Sequence, residues 1–199
     1  YPNNIHVKEL QNFNKIGNEV YKKLEKTAEV LLQAIALYLE LDAFYFDSYI
    51  REGNSILRAI HYPPITKAPN EAERAAAHGD INLITLLMGS QGGGLQVLNR
   101  NQEWIDAIAG PDELMINIGD MLSRLTNNHL PSTIHRVVNP PPEEWGNARY
   151  SLPFFMHPIP QMPLNCLPQM IDAAHPKKYE DIDAGTFLHQ RLVALGLLK

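Results

Sequence analysis

The chain has 199 residues, enough for one domain with a real core, and 45% of them are apolar, an ordinary share for a globular protein. A net charge of −5 with no basic face argues against a nucleic-acid partner. The apolar runs are only a few residues long, which argues against a membrane span. The N-terminus lacks the charged-then-apolar pattern of a signal peptide, and Tyr1 is not a methionine, so the numbering need not begin where translation does. The single cysteine, Cys166, has no partner for an internal disulfide, which fits a reducing, cytoplasmic compartment.

Residues 14–42 read as one amphipathic helix. Ile16, Val20, Leu24, Leu31, Ile35 and Leu39 recur at helical spacing, with Lys22, Lys23, Glu25, Lys26 and Glu29 between them. Residues 44–50 add another turn or two. After Gly53 the pattern changes: 55–62 reads as a strand ended by Pro63-Pro64, and a polar, proline-containing loop runs to about Ala75. Short apolar runs follow at 81–88, 95–98, 104–108, 114–118, 133–138 and 149–156. They are separated by glycine, asparagine and proline turn signals, the pattern of an all-β sandwich or barrel. Residues 119–125 predict a helical turn inside that series, and 186–195 a closing helix after a proline-rich tail from His157. No internal repeat or linker divides the chain, so 1–199 is expected to be a single domain: a helical lead-in over 1–52, a β core over 55–156, and a tail with its helix over 157–199.

The first chemical signal is His78-Gly79-Asp80. Alternate residues of a strand point the same way, so His78 and Asp80 can face one point, and His135 on another predicted strand can join them. Two imidazoles and one carboxylate leave half of an octahedral metal open, an arrangement suited to Fe(II) that binds both a substrate and O2. On this signal alone, His78 and His135 as ordinary barrel histidines remains an open alternative. The second signal is Arg149-Tyr150-Ser151, where a guanidinium and a hydroxyl two residues apart form a carboxylate clamp. The alternative for an isolated Arg149 is a surface residue paired with Glu143 or Glu144.

Other features read as structural. Gly92-Gly93-Gly94 is a tight inter-strand turn with none of the helix and Lys-Ser/Thr of a phosphate cradle. Asp120 reads as a turn cap and not a metal ligand. His61, His129, His157, His175 and His189 have no partner at ligand spacing, and Cys166 has no neighbouring base. Along 149–156, alternation puts Phe155 rather than Phe154 on the Ser151 side, making Phe155 the substrate-pocket candidate.

The order of these motifs resembles the isopenicillin N synthase-like group of 2-oxoglutarate/Fe(II) dioxygenases. It runs from Leu57-Arg58-Ala59-Ile60-His61-Tyr62-Pro63-Pro64 through His-x-Asp, a Gly-rich turn with Gly-Leu-Gln-Val, Asn117-Ile118-Gly119-Asp120, Leu125-Thr126-Asn127 and His135-Arg136-Val137-Val138-Asn139-Pro140 to Arg-x-Ser-x-Pro-Phe-Phe. The resemblance implies a mainly β fold with flanking helices, a double-stranded β-helix or jelly roll. It implies His78, Asp80 and His135 as metal ligands, Arg149 and Ser151 as the grip on the distal carboxylate of 2-oxoglutarate, and Tyr62 as a further contact to it. Ile60 departs from the asparagine that many plant members carry there. The implied reaction uses Fe(II), 2-oxoglutarate and O2 to oxidise a small molecule, usually by hydroxylation, with release of succinate and CO2. Two other readings stay open: an oxidase like isopenicillin N synthase, in which the Arg-x-Ser pair grips the substrate, and a non-catalytic binding module on the same fold. Family members also carry an N-terminal segment that is not found before Tyr1, so the chain is expected to lack it.

Overall fold

The computed structural model describes residues 4–89 and 93–198; Tyr1 and Gly92, on which two expectations above fall, lie outside them. The chain opens with helix α1 (Phe13–Tyr38), whose buried residues Leu24, Ala28, Leu32 and Ala36 recur every four positions and form one stripe. The periodicity predicts a helix to 42; the observed one stops at Tyr38. Glu40 turns into the left-handed region at φ 58°, Leu41 N–H donates to the Ala36 carbonyl and Glu40 N–H to that of Leu37. That is a Schellman stop made without the usual glycine, which is why the sequence does not announce it. A short helix, α2 (Asp47–Ile50), follows.

The β core is antiparallel throughout. Strands β1 (Ile56–Leu57), β4 (Ile84–Met88), β7 (Leu114–Ile118) and β10 (Pro153–Met156) form one sheet in the order β1-β10-β4-β7. Strands β3 (Ala75–His78), β5 (Leu95–Leu98), β6 (Trp104–Asp106) and β8 (His135–Val137) form another in the order β3-β8-β5-β6, and β2 (Ile60–Tyr62) pairs with β9 (Arg149–Ser151). This mainly β arrangement with flanking helices is the expected double-stranded β-helix. Gly94, at φ 98°, leads into β5 in a conformation that disfavours a side chain, and a Cβ there would stand 2.7 Å from the Val138 carbonyl oxygen.

Two predicted strands are each split. Residues 55–62 become β1 and β2, and 149–156 become β9 and β10, with each pair divided between different sheets. Leu152 is the corner where the chain leaves one sheet for the other. Strand β3 falls where the sequence predicts the end of a loop, because Ala75, Ala76 and Ala77 carry little β preference; its pairing with β8 makes it a strand.

The core lies between α1 and the outer face of the β1-β10-β4-β7 sheet. Ile84, Leu86, Phe154 and Met156 meet Leu24, Leu32 and Leu39 there in one buried cluster, and Tyr21 packs edge-on against Phe154 with ring centroids 5.2 Å apart. Each such fully buried large side chain contributes about 1.5–3 kcal/mol, so this layer fixes the sheet whose other face carries the site. The predicted turn at 119–125 is helix α3 (Asp120–Leu125), and the closing helix is α4 (Ala184–Ala194). Asn127 ties the tail down: its amide donates to the carbonyls of Met170 and Pro176, and its side-chain oxygen accepts from Lys178 N–H. Among the described residues, no helix is long and apolar enough to cross a membrane.

Candidate active site

His78 ends β3, and His135 begins β8 directly opposite it. Their rings lie 4.4 Å apart between centroids. Each ring is tethered through Nδ1 to a backbone carbonyl two residues earlier, His78 to Ala76 at 2.7 Å and His135 to Thr133 at 3.0 Å. A carbonyl can only accept, so each ring donates from Nδ1 and presents Nε2 as the atom available to a metal.

Asp80 reaches the same point by a different route from the one expected. It is not on the strand with His78, because β3 ends at His78 and Asp80 sits in the bend beyond. Helix α3 holds that bend: Asp120 N–H donates to the Asp80 carbonyl at 2.7 Å and Gly119 N–H to that of Leu83 at 2.9 Å. Gly119 passes so close to Asn82 that a Cβ there would collide with the Asn82 carbonyl.

The Asp80 carboxylate is buried, and its two oxygens are divided in function. Oδ2 accepts from Thr85 Oγ1 at 2.6 Å and from Asn117 Nδ2 at 2.8 Å, while Asn82 Nδ2 donates to Thr85 Oγ1 at 3.0 Å. Oδ1 is turned toward His135, 3.8 Å from its Nε2. Ligand atoms of His78, Asp80 and His135 all lie within 4.8 Å of one another. Asp120 takes no part in this cluster. Gly119, not Asp120, is the N-cap of α3, and the Asp120 carboxylate pairs with Arg191 at 3.4 Å.

The second group is set by register. In the β2–β9 pair, Tyr62 faces Arg149 and Ile60 faces Ser151. Arg149 and Ser151 are buried while Tyr150 between them is exposed and stacks on His61, so the alternation expected of Arg-x-Ser holds. Arg149 is 3% exposed, which overturns the surface-residue alternative. Its guanidinium lies 5.2 Å from the Tyr62 ring centroid. Burial holds its pKa below the usual value; a hydrogen bond from the guanidinium to the Tyr62 hydroxyl works against that, and the nearby Arg74 charge adds to it. A cavity of about 330 Å3 meets Arg149, with Leu87, Leu95, Met115 and Ile108 among its walls. It lies at the arginine end, away from the three-ligand corner.

Phe155 pairs with Thr85, and Thr85 with Asn117. Directly paired residues share a face, so Phe155 looks the same way as the two donors to Asp80, whereas Phe154 looks to α1. Four contributors carry no signal in the sequence. Thr85 and Asn117 lie on predicted strands, but nothing marks them as partners of a carboxylate. His157 has no partner at ligand spacing, yet it is 9% exposed, and burial pushes its pKa down to about 4 against a partial pull from the Asp80 charge. Arg74 sits in the predicted loop before β3; it stacks on the Tyr62 ring at 5.9 Å.

A family model of the 2OG-Fe(II) oxygenase superfamily matches residues 53–158. The chain belongs to this superfamily. Among solved structures, a protein assigned to the 2OG-Fe(II) oxygenase family from Caulobacter crescentus is 47% identical with a TM-score of 0.88, covering 96% of this chain and 62% of that one. A full-length Neurospora crassa protein, solved in complex with alpha-KG and thymine, is 35% identical with a TM-score of 0.86, covering 96% of this chain and 59% of the other. The 2-oxoglutarate-Fe(II) type oxidoreductase hxnY of Emericella nidulans is 33% identical over 179 residues, covering 88% of this chain and 50% of the relative. The chain spans about half the length of the curated relatives it matches. Oxygenases of this superfamily use Fe(II), 2-oxoglutarate and O2. The donor set fits that metal: two imidazole nitrogens and one carboxylate oxygen are the facial set that non-haem Fe(II) oxygenases use, and the second carboxylate oxygen is already occupied by protein donors.

Proposed function

We propose that the chain acts as one domain and is a 2-oxoglutarate-dependent Fe(II) oxygenase of a small molecule, hydroxylating it with release of succinate and CO2. His78, Asp80 and His135 hold the iron; Arg149, Ser151 and Tyr62 hold the far carboxylate of 2-oxoglutarate. The observation that carries this reading is the division of labour in Asp80, one oxygen saturated by Thr85 and Asn117 and the other turned toward His135 Nε2, with His78 in the same ligand cluster. A merely structural carboxylate would have no reason to leave an oxygen facing an imidazole nitrogen at 3.8 Å with no hydrogen bond between them.

Bound there, Fe(II) together with 2-oxoglutarate and O2 supplies the oxidising power. The protein's part is geometry and exclusion of water. The carbonyl tethers on His78 and His135 fix both tautomers. Thr85 and Asn117 keep the Asp80 carboxylate oriented. Arg149 offers a planar fork to a carboxylate, with Ser151 supplying a hydroxyl on the same face of β9. Phe155 gives the substrate an apolar wall beside the metal ligands; the thymine complex of the Neurospora protein supports a compact, ring-bearing substrate of this kind. A cytoplasmic location belongs to the same reading, supported by a lone, buried Cys166.

The test is succinate release from 2-oxoglutarate under Fe(II) and O2, across a panel of small heterocycles and carboxylic acids, with wild type and Arg149→Leu. Wild type should release succinate slowly alone and faster with a substrate. Arg149→Leu should bind 2-oxoglutarate about 10- to 100-fold more weakly, the cost of a charge-assisted pair in a partly buried site. Wild type that makes no succinate even while oxidising a substrate would return the chain to the oxidase reading. Wild type that binds iron but oxidises nothing would return it to the binding-module reading.

A further inference from the structure

The arginine end holds a cation that the proposed function leaves unused. Arg74 stands immediately before β3, and its Nη2 donates to the Asn147 carbonyl at 3.2 Å, just ahead of β9. Its guanidinium lies on the Tyr62 ring at 5.9 Å, and the Arg149 guanidinium lies on the same ring at 5.2 Å. Both arginines line a second cavity, about 390 Å3 in volume, whose walls include Gly146, Asn147 and Glu144. The two are close enough for the charge of Arg74 to act on Arg149.

Among the described residues, Arg74 meets a carbonyl and a ring but no countercharge in an ion pair. Its Nε is buried and, among the described residues, has no hydrogen-bond partner. Its neighbour Glu73 is engaged by Arg136 at 3.0 Å, and among the described residues no carboxylate forms an ion pair with Arg74. Two like charges gathered around one phenol, in a half-buried pocket of lowered dielectric, repel each other until an anion joins them.

We propose that Arg74 is a second cation of the cosubstrate end and biases the site toward dianionic 2-oxo acids. This rests on Arg149 gripping the far carboxylate of 2-oxoglutarate. Arg149, Ser151 and Tyr62 give that carboxylate its directed hydrogen bonds; Arg74, one ring further out, adds charge without needing direct contact. A 2-oxo acid that lacks the far carboxylate gains nothing from it. The competing role is mechanical, with Arg74 clipping the lead into β3 onto the segment before β9 through the Asn147 carbonyl.

Anaerobic equilibrium binding to the Fe(II)-loaded protein separates these roles. The ligands are 2-oxoglutarate and 2-oxobutyrate, which keeps the metal-facing end and lacks the far carboxylate. The proteins are wild type, Arg74→Gln and Arg74→Lys, each measured at low and high salt, with thermal melting in parallel. Arg74→Gln should weaken 2-oxoglutarate about fivefold, the upper range for a partly exposed charge pair, and leave 2-oxobutyrate unchanged. Arg74→Lys should stay within about twofold of wild type, and the difference between wild type and Arg74→Gln should shrink in high salt. Equal weakening of both ligands, or loss in Arg74→Lys as large as in Arg74→Gln, overturns the charge role in favour of the clip. No change in either ligand overturns it outright. Wild type that binds 2-oxobutyrate and 2-oxoglutarate equally overturns the grip by Arg149 as well, an outcome distinct from any in which only the variants disappoint.

Discussion

His78, Asp80 and His135 come from the end of one strand, the bend beyond it and a neighbouring strand, whereas Tyr62, Arg149 and Ser151 come from two strands paired side by side. The arginine end therefore needs only register: once β2 pairs with β9, the pleat puts Arg149 and Ser151 inward and Tyr150 outward. The metal corner needs tertiary support. Asp80 lies where no strand holds it, and its position depends on α3 through the Asp120 and Gly119 amides and on Thr85 and Asn117 from two further strands. Groups fixed by register tolerate changes in their neighbours, while groups fixed by a web of hydrogen bonds transmit each lost bond to the ligand.

The same difference explains what can be read in the sequence. Arg149, Ser151 and the sidedness of Phe155 follow from alternation alone. The three proposed metal ligands can be named from residue type and order, but strand alternation does not account for Asp80, since the bend does that work. Thr85, Asn117 and His157 are hidden because partnership with a carboxylate that lies off the strands has no local signature. The stop of α1 at Tyr38 is hidden because it is made without the glycine that normally marks such a point; the sheet change at Leu152 is marked only by Pro153, which the apolar run 149–156 masks.

The largest effect is expected at the metal corner itself. His135→Ala leaves two ligands, and since loss of a mere supporting partner costs about 10- to 100-fold in metal affinity, loss of a ligand should cost at least on the order of 100-fold. An anaerobic Fe(II) titration of both proteins measures it, with 2-oxoglutarate-independent folding checked by melting. Iron bound as tightly by the variant as by wild type would remove His135 from the site.

His157 should give the metal corner a response to acid that the arginine end lacks. Its folded pKa of about 4 lies below the ordinary 6.5, so between these values the unfolded chain binds a proton that the folded one refuses. The stability at stake is present above pH 6.5, falls as the pH drops toward 4, and stops falling below that. About 2.5 pKa units correspond to about 3 kcal/mol. Arg149 and Ser151 carry no group that ordinarily ionises in this window. Urea unfolding of metal-free protein from pH 7 to 4 should show a shallower loss in His157→Gln than in wild type, the carboxylates common to both cancelling in the difference. Parallel curves would show that His157 takes up its proton in the folded state.

Thr85→Val tests the web directly. It removes one of two donors to Asp80 Oδ2 and strands Asn82 Nδ2 without one of its acceptors, while leaving all three ligands and the shape of β4 in place. Iron affinity should fall about tenfold, and 2-oxobutyrate binding should weaken only to the extent that iron is lost. Unchanged iron affinity would mean that Asn117 and the bend suffice to hold Asp80, and the contrast between the two ends would narrow.

Ser151→Ala is the matching probe of the other end, and the smallest effect of the series. The hydroxyl offers one neutral hydrogen bond to a carboxylate that Arg149 already holds by charge, and such a bond is worth about 0.5–1.5 kcal/mol net, a few-fold to about tenfold in affinity for 2-oxoglutarate. The register of β9 does not depend on it: Ile60 and Ser151 pair through their backbones, so the strand and the position of Arg149 should be unchanged, and with them the affinity for Fe(II). Paired calorimetric titrations with iron and then with 2-oxoglutarate separate the two. A drop in 2-oxoglutarate affinity with iron untouched is what a register-built end predicts, because strand pairing and not a link to the metal corner places its side chains. A drop in both would mean that Ser151 communicates with the metal corner, and that the arginine end is as interdependent as the corner where Asp80 sits.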